Sequence, residues 1–133
     1  MRTYRILVLA AEQDSVIEEV VSYFSALKGY EVVFVQNGLE AIDAVKKLSP
    51  DVVVMELLLP KLDGIRICKA LKSNKETSSI PIIIVTLVNA EKKSLEAGAD
   101  IFILKPVQSA NLIDRINDVL HKQAVSGADE TAI

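Results

Sequence analysis

The sequence predicts an open α/β fold, a doubly wound sheet of five parallel strands that alternate with five helices lying on both of its faces. Five short apolar runs rich in Val and Ile are nearly continuous rather than alternating, which is typical of parallel strands covered on both sides. These runs occupy residues 5–10, 31–35, 51–56, 81–85 and 101–104. The segments between them carry apolar residues at helical spacing, so the chain is predicted to repeat a strand–helix unit, (βα)5.

The first two helices follow the first two strands, and each shows one apolar stripe. The stripes consist of Ile17, Val20, Val21, Phe24 and Leu27, and then of Leu39, Ile42, Val45 and Leu48. Ser15 and Glu18 have the spacing of a capping box and are predicted to begin the first helix. Asn37 and Glu40 have the same spacing at the start of the second helix. Gly29 stands where the first helix is expected to end.

The three remaining helices are predicted from turns and from a last apolar stripe. The Asp63-Gly64 turn begins the third helix, and a short segment that ends at Gly98 forms the fourth. The fifth helix carries Leu112, Ile113, Ile116, Val119 and Leu120 on one face. The last residues are small, polar and aperiodic, so we expect a domain at 1–123 and a polar tail or the start of a linker at 124–133.

Length, composition and charge narrow the class of protein. The 133 residues fit one domain, and 50% of them are hydrophobic, which is enough for a buried core. The 15 basic and 18 acidic residues give a net charge of −3 with no basic block, so nucleic-acid binding is not expected. Cys68 is the only cysteine, which fits a reducing compartment. Because no apolar stretch approaches the ~18 residues of a membrane span, we expect a cytoplasmic protein.

Chemically active side chains gather where the predicted strands end, the edge at which open parallel sheets bind their ligands. The residues there are Ala10, Ala11 and Glu12 after the first strand, Glu56 after the third, Thr86 after the fourth, and Lys105 with Pro106 after the fifth. An acid, a hydroxyl and an ammonium are therefore expected to converge. The segment AAEQD (10–14) lacks the glycines and hydroxyls of a phosphate cradle and carries two acids, which disfavours a flavin- or phosphate-binding enzyme.

Four sequence strings, in order and on the predicted strands, carry a resemblance to a known family. They are ILVLAAEQD (6–14), PDVVVMELLLPKLDG (50–64), SIPIIIVT (79–86) and LEAGADIFILKP (95–106). Over residues 4–122 the chain resembles a response-regulator receiver domain of two-component signalling. The resemblance implies a flavodoxin-like fold with the strand order 2-1-3-4-5 and a cis peptide bond between Lys105 and Pro106.

The resemblance also assigns roles to the residues at the strand ends. Receiver domains use an aspartate that ends the third strand as phosphoacceptor, and two acidic residues after the first strand hold Mg²⁺. This chain has Glu56 at the phosphoacceptor position, and it has Ala10 and Ala11 at the positions of the acidic pair. Thr86 and Lys105 match the residues that bind the phosphoryl oxygens. The sequence strings of the scaffold therefore match the family, whereas three residues of the reactive site, Ala10, Ala11 and Glu56, differ from it.

These changes are expected to abolish phosphorylation, and no catalytic residue is assigned. Mg²⁺ prefers oxygen ligands in octahedral geometry, and the methyl groups of Ala10 and Ala11 supply none. We therefore expect Mg²⁺ binding to be lost or weak, and we predict no other metal or cofactor. The additional methylene of Glu56 moves its carboxylate by ~1.5 Å, and a misplacement of about 1 Å already costs on the order of a hundredfold in rate. Leu87 is bulky and is expected to narrow the opening of the site.

Two interpretations of the Glu56 and Lys105 pair stay open. The pair is either a permanent mimic of the phosphorylated state or a leftover ion pair that switches nothing. Glu12 and Glu56 are a less favoured pair for holding a cation, because Mg²⁺ selects its geometry strictly. Thr86 is either a switch hydroxyl or a residue that simply favours strands. Phe102, which matches the aromatic residue that reports the state of receivers, is either such a reporter or plain core.

The prediction is a signalling receiver domain that is not an enzyme, works without phosphorylation and acts through protein contacts. Receivers commonly meet a histidine kinase or an output domain through helix 4, strand 5 and helix 5. From Thr86 to Gly98 this chain is about one helical turn shorter than is usual in the family, so that face is expected to be reshaped. We expect a monomer or weak dimer without direct contact to nucleic acid or membrane. A small-molecule sensor or a purely structural domain on the same fold is the alternative.

Overall fold

The computed structural model describes residues 2–132, with the side chains of residues 2–121. The strands are β1 (Tyr4–Leu9), β2 (Tyr30–Val35), β3 (Val52–Met55), β4 (Ile82–Thr86) and β5 (Ile101–Leu104). The helices are α1 (Ser15–Ser25), α2 (Gly38–Leu48), α3 (Gly64–Ser73), α4 (Glu91–Glu96) and α5 (Ser109–Ala132). All strands pair in parallel in the order β2-β1-β3-β4-β5, which confirms the predicted fold and strand order.

The sheet separates two hydrophobic cores, because successive side chains of a strand point to opposite faces. In β1, Ile6 and Val8 pack under α1 and α5, whereas Leu7 and Leu9 pack under α2 and α3. The three central strands are almost completely buried on both faces, which explains why their sequences are continuous apolar runs. Residues of the loops at the carboxyl edge of the sheet pack into both cores, Leu57 and Val88 into one and Val107 into the other. These loops are therefore anchored on both faces of the sheet.

The ends of the helices confirm one predicted cap and correct another. Asn37 caps α2, and its side chain accepts a hydrogen bond from the Glu40 amide at 3.1 Å, as its spacing predicts. The predicted cap at Ser15 is wrong, because Ser15 is already the first residue of α1. The cap is Asp14, whose Oδ1 accepts from the Ile17 amide at 2.9 Å. Asp and Ser are about equally good caps, so adjacent residues of these types leave the choice to the surrounding structure.

Two leucines of the predicted apolar stripes lie outside the core. Leu27 is 38% exposed because α1 ends before it, at Ser25. Leu39 is 63% exposed, although it begins the stripe assigned to α2. The first turn of α2 instead presents Gly38 to the protein interior, so close to Leu62 that an added Cβ would lie 2.4 Å from the Leu62 carbonyl oxygen. Leu39, the next residue, therefore points away from the core.

The last two helices differ most in length. Helix α4 has only six residues and no side-chain cap, in line with the short segment expected there. Helix α5 has 24 residues and runs through residues 124–132, where the sequence predicts a polar tail. No proline interrupts this segment, so the helical backbone can continue through it. The domain boundary at residue 123 stays a prediction. Within the part of the chain that the structure describes, no helix is long and apolar enough to cross a membrane.

Candidate functional site

The carboxyl ends of β1, β3, β4 and β5 bring the predicted site residues to one edge of the sheet. Glu56 directly follows β3, and its amide donates to the Leu9 carbonyl of β1 at 2.9 Å. Lys105 directly follows β5, and its amide donates to the Thr86 carbonyl of β4 at 2.8 Å. The Lys105–Pro106 peptide bond is cis, as expected. Hydrogen bonds to neighbouring strands therefore fix the backbone positions of Glu56 and Lys105. The positions of their side chains depend on further contacts.

The Lys105 ammonium lies between two carboxylates. Its Nζ is 2.6 Å from Asp14 Oδ2 and 3.4 Å from Glu56 Oε1. The first distance is that of a close charge-assisted hydrogen bond, whereas the second is longer than the usual range. The side chains of Lys105 and Glu56 are each only 15% exposed, and that of Asp14 is 41% exposed. Lys105 thus reaches Glu56, as the sequence predicts, but Asp14 is its nearer partner.

Asp14 is the site residue that sequence reasoning missed. It lies at the end of the β1–α1 loop, four residues beyond Ala10, and was not among the candidates at the strand ends. One carboxylate oxygen caps α1, and the other accepts from Lys105. The available signal was its place at a predicted helix start on the functional edge, where Asp is among the preferred capping residues. The interaction with Lys105 spans 91 positions of the sequence and is not visible locally.

Glu56 uses its second carboxylate oxygen on its own backbone. Oε2 accepts from the amide of Leu57 at 2.6 Å and from that of Leu58 at 3.1 Å. Together with the contact between Oε1 and Lys105, both oxygens of Glu56 therefore have partners. Because the side chain of glutamate is one methylene longer than that of aspartate, its carboxylate can fold back over the residues that follow Glu56.

The electrostatics of Asp14 and Lys105 favour the charged form of both groups. For Asp14, burial tends to raise the pKa, but the hydrogen bonds from Lys105 and the Ile17 amide lower it below its ordinary value. For Lys105, burial tends to lower the pKa, but the hydrogen bond and the charge of Asp14, followed by the charge of Glu56, raise it above its ordinary value. Each group thus stabilises the charge of the other, so the pair is ionised at neutral pH.

Thr86 lies at the same edge and Phe102 lies within β5, beside Ile84 of β4, and neither joins the ion pairs. Thr86 ends β4, is fully buried, and its Oγ1 accepts from the Val88 amide at 3.2 Å. Phe102 is half-buried in β5 and packs on the core that α2 and α3 cover. Pro106 is exposed. The roles that the resemblance gives to these residues stay predictions.

The residues present do not fit a Mg²⁺ ion. Ala10 is buried and Ala11 is exposed, and neither offers an oxygen from its side chain. Both oxygens of Glu56 already have partners within the protein, and Glu12 is an exposed side chain of the loop. Among the described residues, no group of three or more His, Cys, Asp and Glu side chains is arranged to hold a metal ion.

A cleft of about 320 Å³ opens at this edge and includes most of the predicted site. Ala10, Ala11, Glu12 and Glu56 line it, together with Asp14 and Lys105. Its walls include two leucines from neighbouring loops, Leu58 after β3 and Leu87 after β4. Leu87 therefore lines the cleft, and its narrowing of the opening stays a prediction.

Comparison with known proteins identifies relatives along almost the whole chain. The family model described as the response regulator receiver domain matches residues 8–117. Response regulator MprA of Mycobacterium sp. (strain KMS) is 30% identical over 130 residues, which is 95% of this chain and 56% of that protein. DNA-binding response regulator MtrA of Mycobacterium tuberculosis (strain H37Rv) is 29% identical over 136 aligned positions and is covered over 58% of its length. The chain thus spans little more than half the length of these curated relatives.

Solved structures show the same architecture. A response regulator from Desulfuromonas acetoxidans matches with a TM-score of 0.74 and 29% identity, covering 88% of this chain and 96% of that chain. The signal receiver domain of a signal transduction histidine kinase from Syntrophus aciditrophicus matches with a TM-score of 0.76 and 28% identity, covering 90% of this chain and 92% of that chain. Both likenesses agree with the fold described above.

Proposed function

Because the chain belongs to the response regulator receiver family, we propose that it is a receiver domain that signals through protein contacts without being phosphorylated. Receiver domains of response regulators are signalling domains of two-component systems. The observation that carries the proposal is the state of Glu56, which replaces the phosphoacceptor and has both carboxylate oxygens engaged by Lys105 and by two backbone amides.

The chemistry of phosphoryl transfer supports this proposal. For transfer from a small donor such as acetyl phosphate, a carboxylate oxygen would attack the phosphorus atom and acetate would leave. Charge develops on the transferred group, and a divalent cation usually neutralises it. Ala10 and Ala11 leave no oxygen ligands for that cation beside Glu56. Attack would also require Glu56 to give up a hydrogen bond from Leu57 or its contact with Lys105.

The proposed partners are proteins that contact the face formed by α4, β5 and α5. Leu95 of α4 and Leu104 of β5 are exposed there, at 46% and 44%, and offer apolar contact area. A histidine kinase or an output domain is the partner class that the family suggests. One relative is named a DNA-binding response regulator, but for this chain we propose no direct contact with nucleic acid, in line with its net charge of −3. We further propose a cytoplasmic monomer or weak dimer.

The proposal is tested by incubating the 133-residue chain with Mg²⁺ and acetyl phosphate and measuring its intact mass. We expect no phosphoryl adduct on the wild-type chain. We expect the same result for Glu56→Asp alone, since this change restores the acceptor but not the ligands of the metal. A stoichiometric, hydroxylamine-labile adduct on the wild-type chain would overturn the proposal.

A matched variant shows that the assay can detect phosphorylation. Ala10→Asp, Ala11→Asp and Glu56→Asp together restore the acceptor and two carboxylates on an otherwise unchanged scaffold. We expect this triple variant to bind Mg²⁺ and to gain a measurable adduct. Its success would show that the wild-type chain lacks only these carboxylates.

A further inference from the structure

The cleft at the carboxyl edge has apolar walls that no part of the described chain covers. Leu58 is 63% exposed and Leu87 is 70% exposed, and both line the cleft from loops that follow adjacent strands. The methyl groups of Ala10 and Ala11 line it as well. Large exposed apolar side chains that converge on one opening are typical of a contact surface. The cleft therefore offers favourable burial to an apolar group of the right size.

The charged residues of the cleft leave it with an excess of negative charge. Glu12, Asp14 and Glu56 face a single cation, Lys105, which gives the charged lining a net charge of −2 at neutral pH. Lys105 already lies between two carboxylates, so it has little capacity to attract an anion. Glu12 is exposed and forms no ion pair with any residue from 2 to 121. A positive charge beside the apolar walls is therefore favoured, and a phosphate or carboxylate is disfavoured.

We propose that this cleft binds a segment of a partner protein that presents a leucine-sized apolar side chain next to a lysine or arginine. The apolar side chain would lie between Leu58 and Leu87, and the basic residue would face Glu12. This inference rests on the proposed function, because it assumes that the domain works through protein contacts. It adds a second contact surface, at the carboxyl ends of β1, β3 and β4, and names the chemistry of its occupant.

The size of the cleft agrees with this occupant. At about 320 Å³ it lies at the lower end of the ~300–1,000 Å³ that is typical of ligand pockets. That space suits one or two side chains and not an extended cofactor. Because the backbone amides of Leu57 and Leu58 are already used by Glu56, the remaining attraction comes from apolar contact and from charge.

The proposal is tested with capped dipeptides titrated into the ¹⁵N-labelled wild-type chain and followed by amide chemical shifts. The probes are acetyl-Leu-Arg-amide, its acidic counterpart acetyl-Leu-Glu-amide, and acetyl-Ala-Arg-amide. We expect weak but saturable binding of the Leu-Arg probe, with the largest shifts at Ala11, Glu12, Leu58 and Leu87. The Ala-Arg probe is expected to bind about three- to tenfold more weakly, since it buries less apolar area. The Leu-Glu probe is expected to bind at least about threefold more weakly because of its charge.

Variants locate the binding at the cleft. Leu87→Ser should weaken the Leu-Arg probe by about three- to tenfold, because it removes one apolar wall. Leu39→Ser is the matched control, since Leu39 is as exposed as Leu58 but does not line the cleft. Glu12→Gln should bring the affinities of the Leu-Arg and Leu-Glu probes closer together.

Three outcomes would overturn the proposal. These are shifts that do not saturate or do not cluster at the cleft, equal affinity for the basic and acidic probes, and equal effects of Leu87→Ser and Leu39→Ser. None of them bears on phosphorylation, which the mass measurement tests separately. Failure of this inference can thus be told apart from failure of the proposed function.

Discussion

At the scale of single residues, the site is organised around Asp14 more than around Glu56. Asp14 has two tasks, because one oxygen caps α1 and the other binds Lys105 at 2.6 Å. Glu56 holds the same ammonium only at 3.4 Å and directs its other oxygen to its own backbone. The position of the Lys105 ammonium is therefore set first by the start of α1. This order was not visible in the sequence, which suggested a simple pair of Glu56 and Lys105.

The two tasks of Asp14 can be separated by substitution. Asn caps helices about as well as Asp, so Asp14→Asn keeps the cap and removes the charge. We expect this variant to lower the free energy of unfolding by about 0.5–1 kcal/mol, the range of a partly exposed ion pair. Asp14→Ala also removes the cap and should cost about 1 kcal/mol more. Urea unfolding measures both values, and a double-mutant cycle with Lys105→Met measures the coupling.

The pH dependence of the Asp14→Asn effect follows from the directions in which the two pKa values are shifted. The pKa of Asp14 is lowered from 3.8, so its contribution is fully present above that value and is lost as pH falls through the lower pKa of the folded state. The pKa of Lys105 is raised from 10.5, so its contribution is lost only as pH rises through a still higher value. The difference in stability between wild type and variant should thus be constant from about pH 5 to 9 and shrink below pH 4. A difference that titrates near neutral pH, or additivity in the cycle, would contradict this role of Asp14.

At the scale of elements, the β3–α3 loop holds the backbone of Glu56 against the start of α3. The Gly64 amide donates to the Leu57 carbonyl at 3.0 Å. A Cβ at Gly64 would lie 2.8 Å from the carbonyl oxygen of Glu56 and 2.8 Å from Leu57 Cα. Real Cβ atoms do not approach backbone so closely, and neither neighbour is a flexible side chain that can move away. Gly64 is required here for close approach, and the loop that carries Glu56 is positioned by it.

Gly64→Ala is therefore expected to destabilise the domain by about 1–3 kcal/mol, the usual cost of overpacking. Helix α3 must shift away from the β3–α3 loop, so the amide resonances of Leu57 and Leu58 should move as well. Lys69→Ala, on the exposed side of the same helix, is the control and should change stability by less than about 0.5 kcal/mol. Equal effects of the two substitutions on stability would show that the close approach at Gly64 is unimportant.

The elements also show what a sequence can predict and where prediction fails. The strands were predicted within a few residues, because a parallel sheet buried on both faces needs runs such as Val52 to Met55. Glu56, Thr86 and Lys105 were placed at the correct edge, because that placement follows from the order of strands and helices alone. The cap at Ser15 and the partner of Lys105 were missed, since both depend on contacts between distant segments. For the same reason the exposure of Leu39 could not be predicted.

At the scale of the whole molecule, the ion pairs of Lys105 join elements that cover opposite faces of the sheet. Asp14 caps α1, which lies on one face with α5. Glu56 leads through its loop to α3, which lies on the other face with α2. Lys105 itself leads into α5. A change of charge at Glu56 can therefore alter how the helices on the two faces of the sheet are held together. A partner that binds one arrangement of these helices more tightly would respond to that change.

The hypothesis that Glu56 mimics a phosphorylated acceptor gives a prediction at this scale. Glu56→Gln keeps the shape of the side chain and removes its charge, so the balance between two states of the domain should shift. Coupling energies of about 1–3 kcal/mol would change the affinity of a partner by about five- to 150-fold. Binding to a partner recovered with the wild-type chain is the first measurement. The amide shifts of Phe102 and of α4, which form no hydrogen bond or ion pair with Glu56, are the second.

The competing interpretation, an ion pair that is only structural, makes a different prediction for the same variants. Removing the charge of Glu56 or Lys105 would then lower the melting temperature and leave partner affinity unchanged. Lys105→Met helps to distinguish the two interpretations, because it removes the ion-pair partner of Asp14 as well as that of Glu56. The hydrogen bond by which Asp14 caps α1 should survive the loss of the lysine. If Glu56→Gln and Lys105→Met both lower stability while affinity and the shifts at Phe102 stay as in the wild type, Glu56 is not a mimic. If both variants change partner affinity in the same direction, the interaction between Glu56 and Lys105 influences partner binding, although the two groups are 3.4 Å apart.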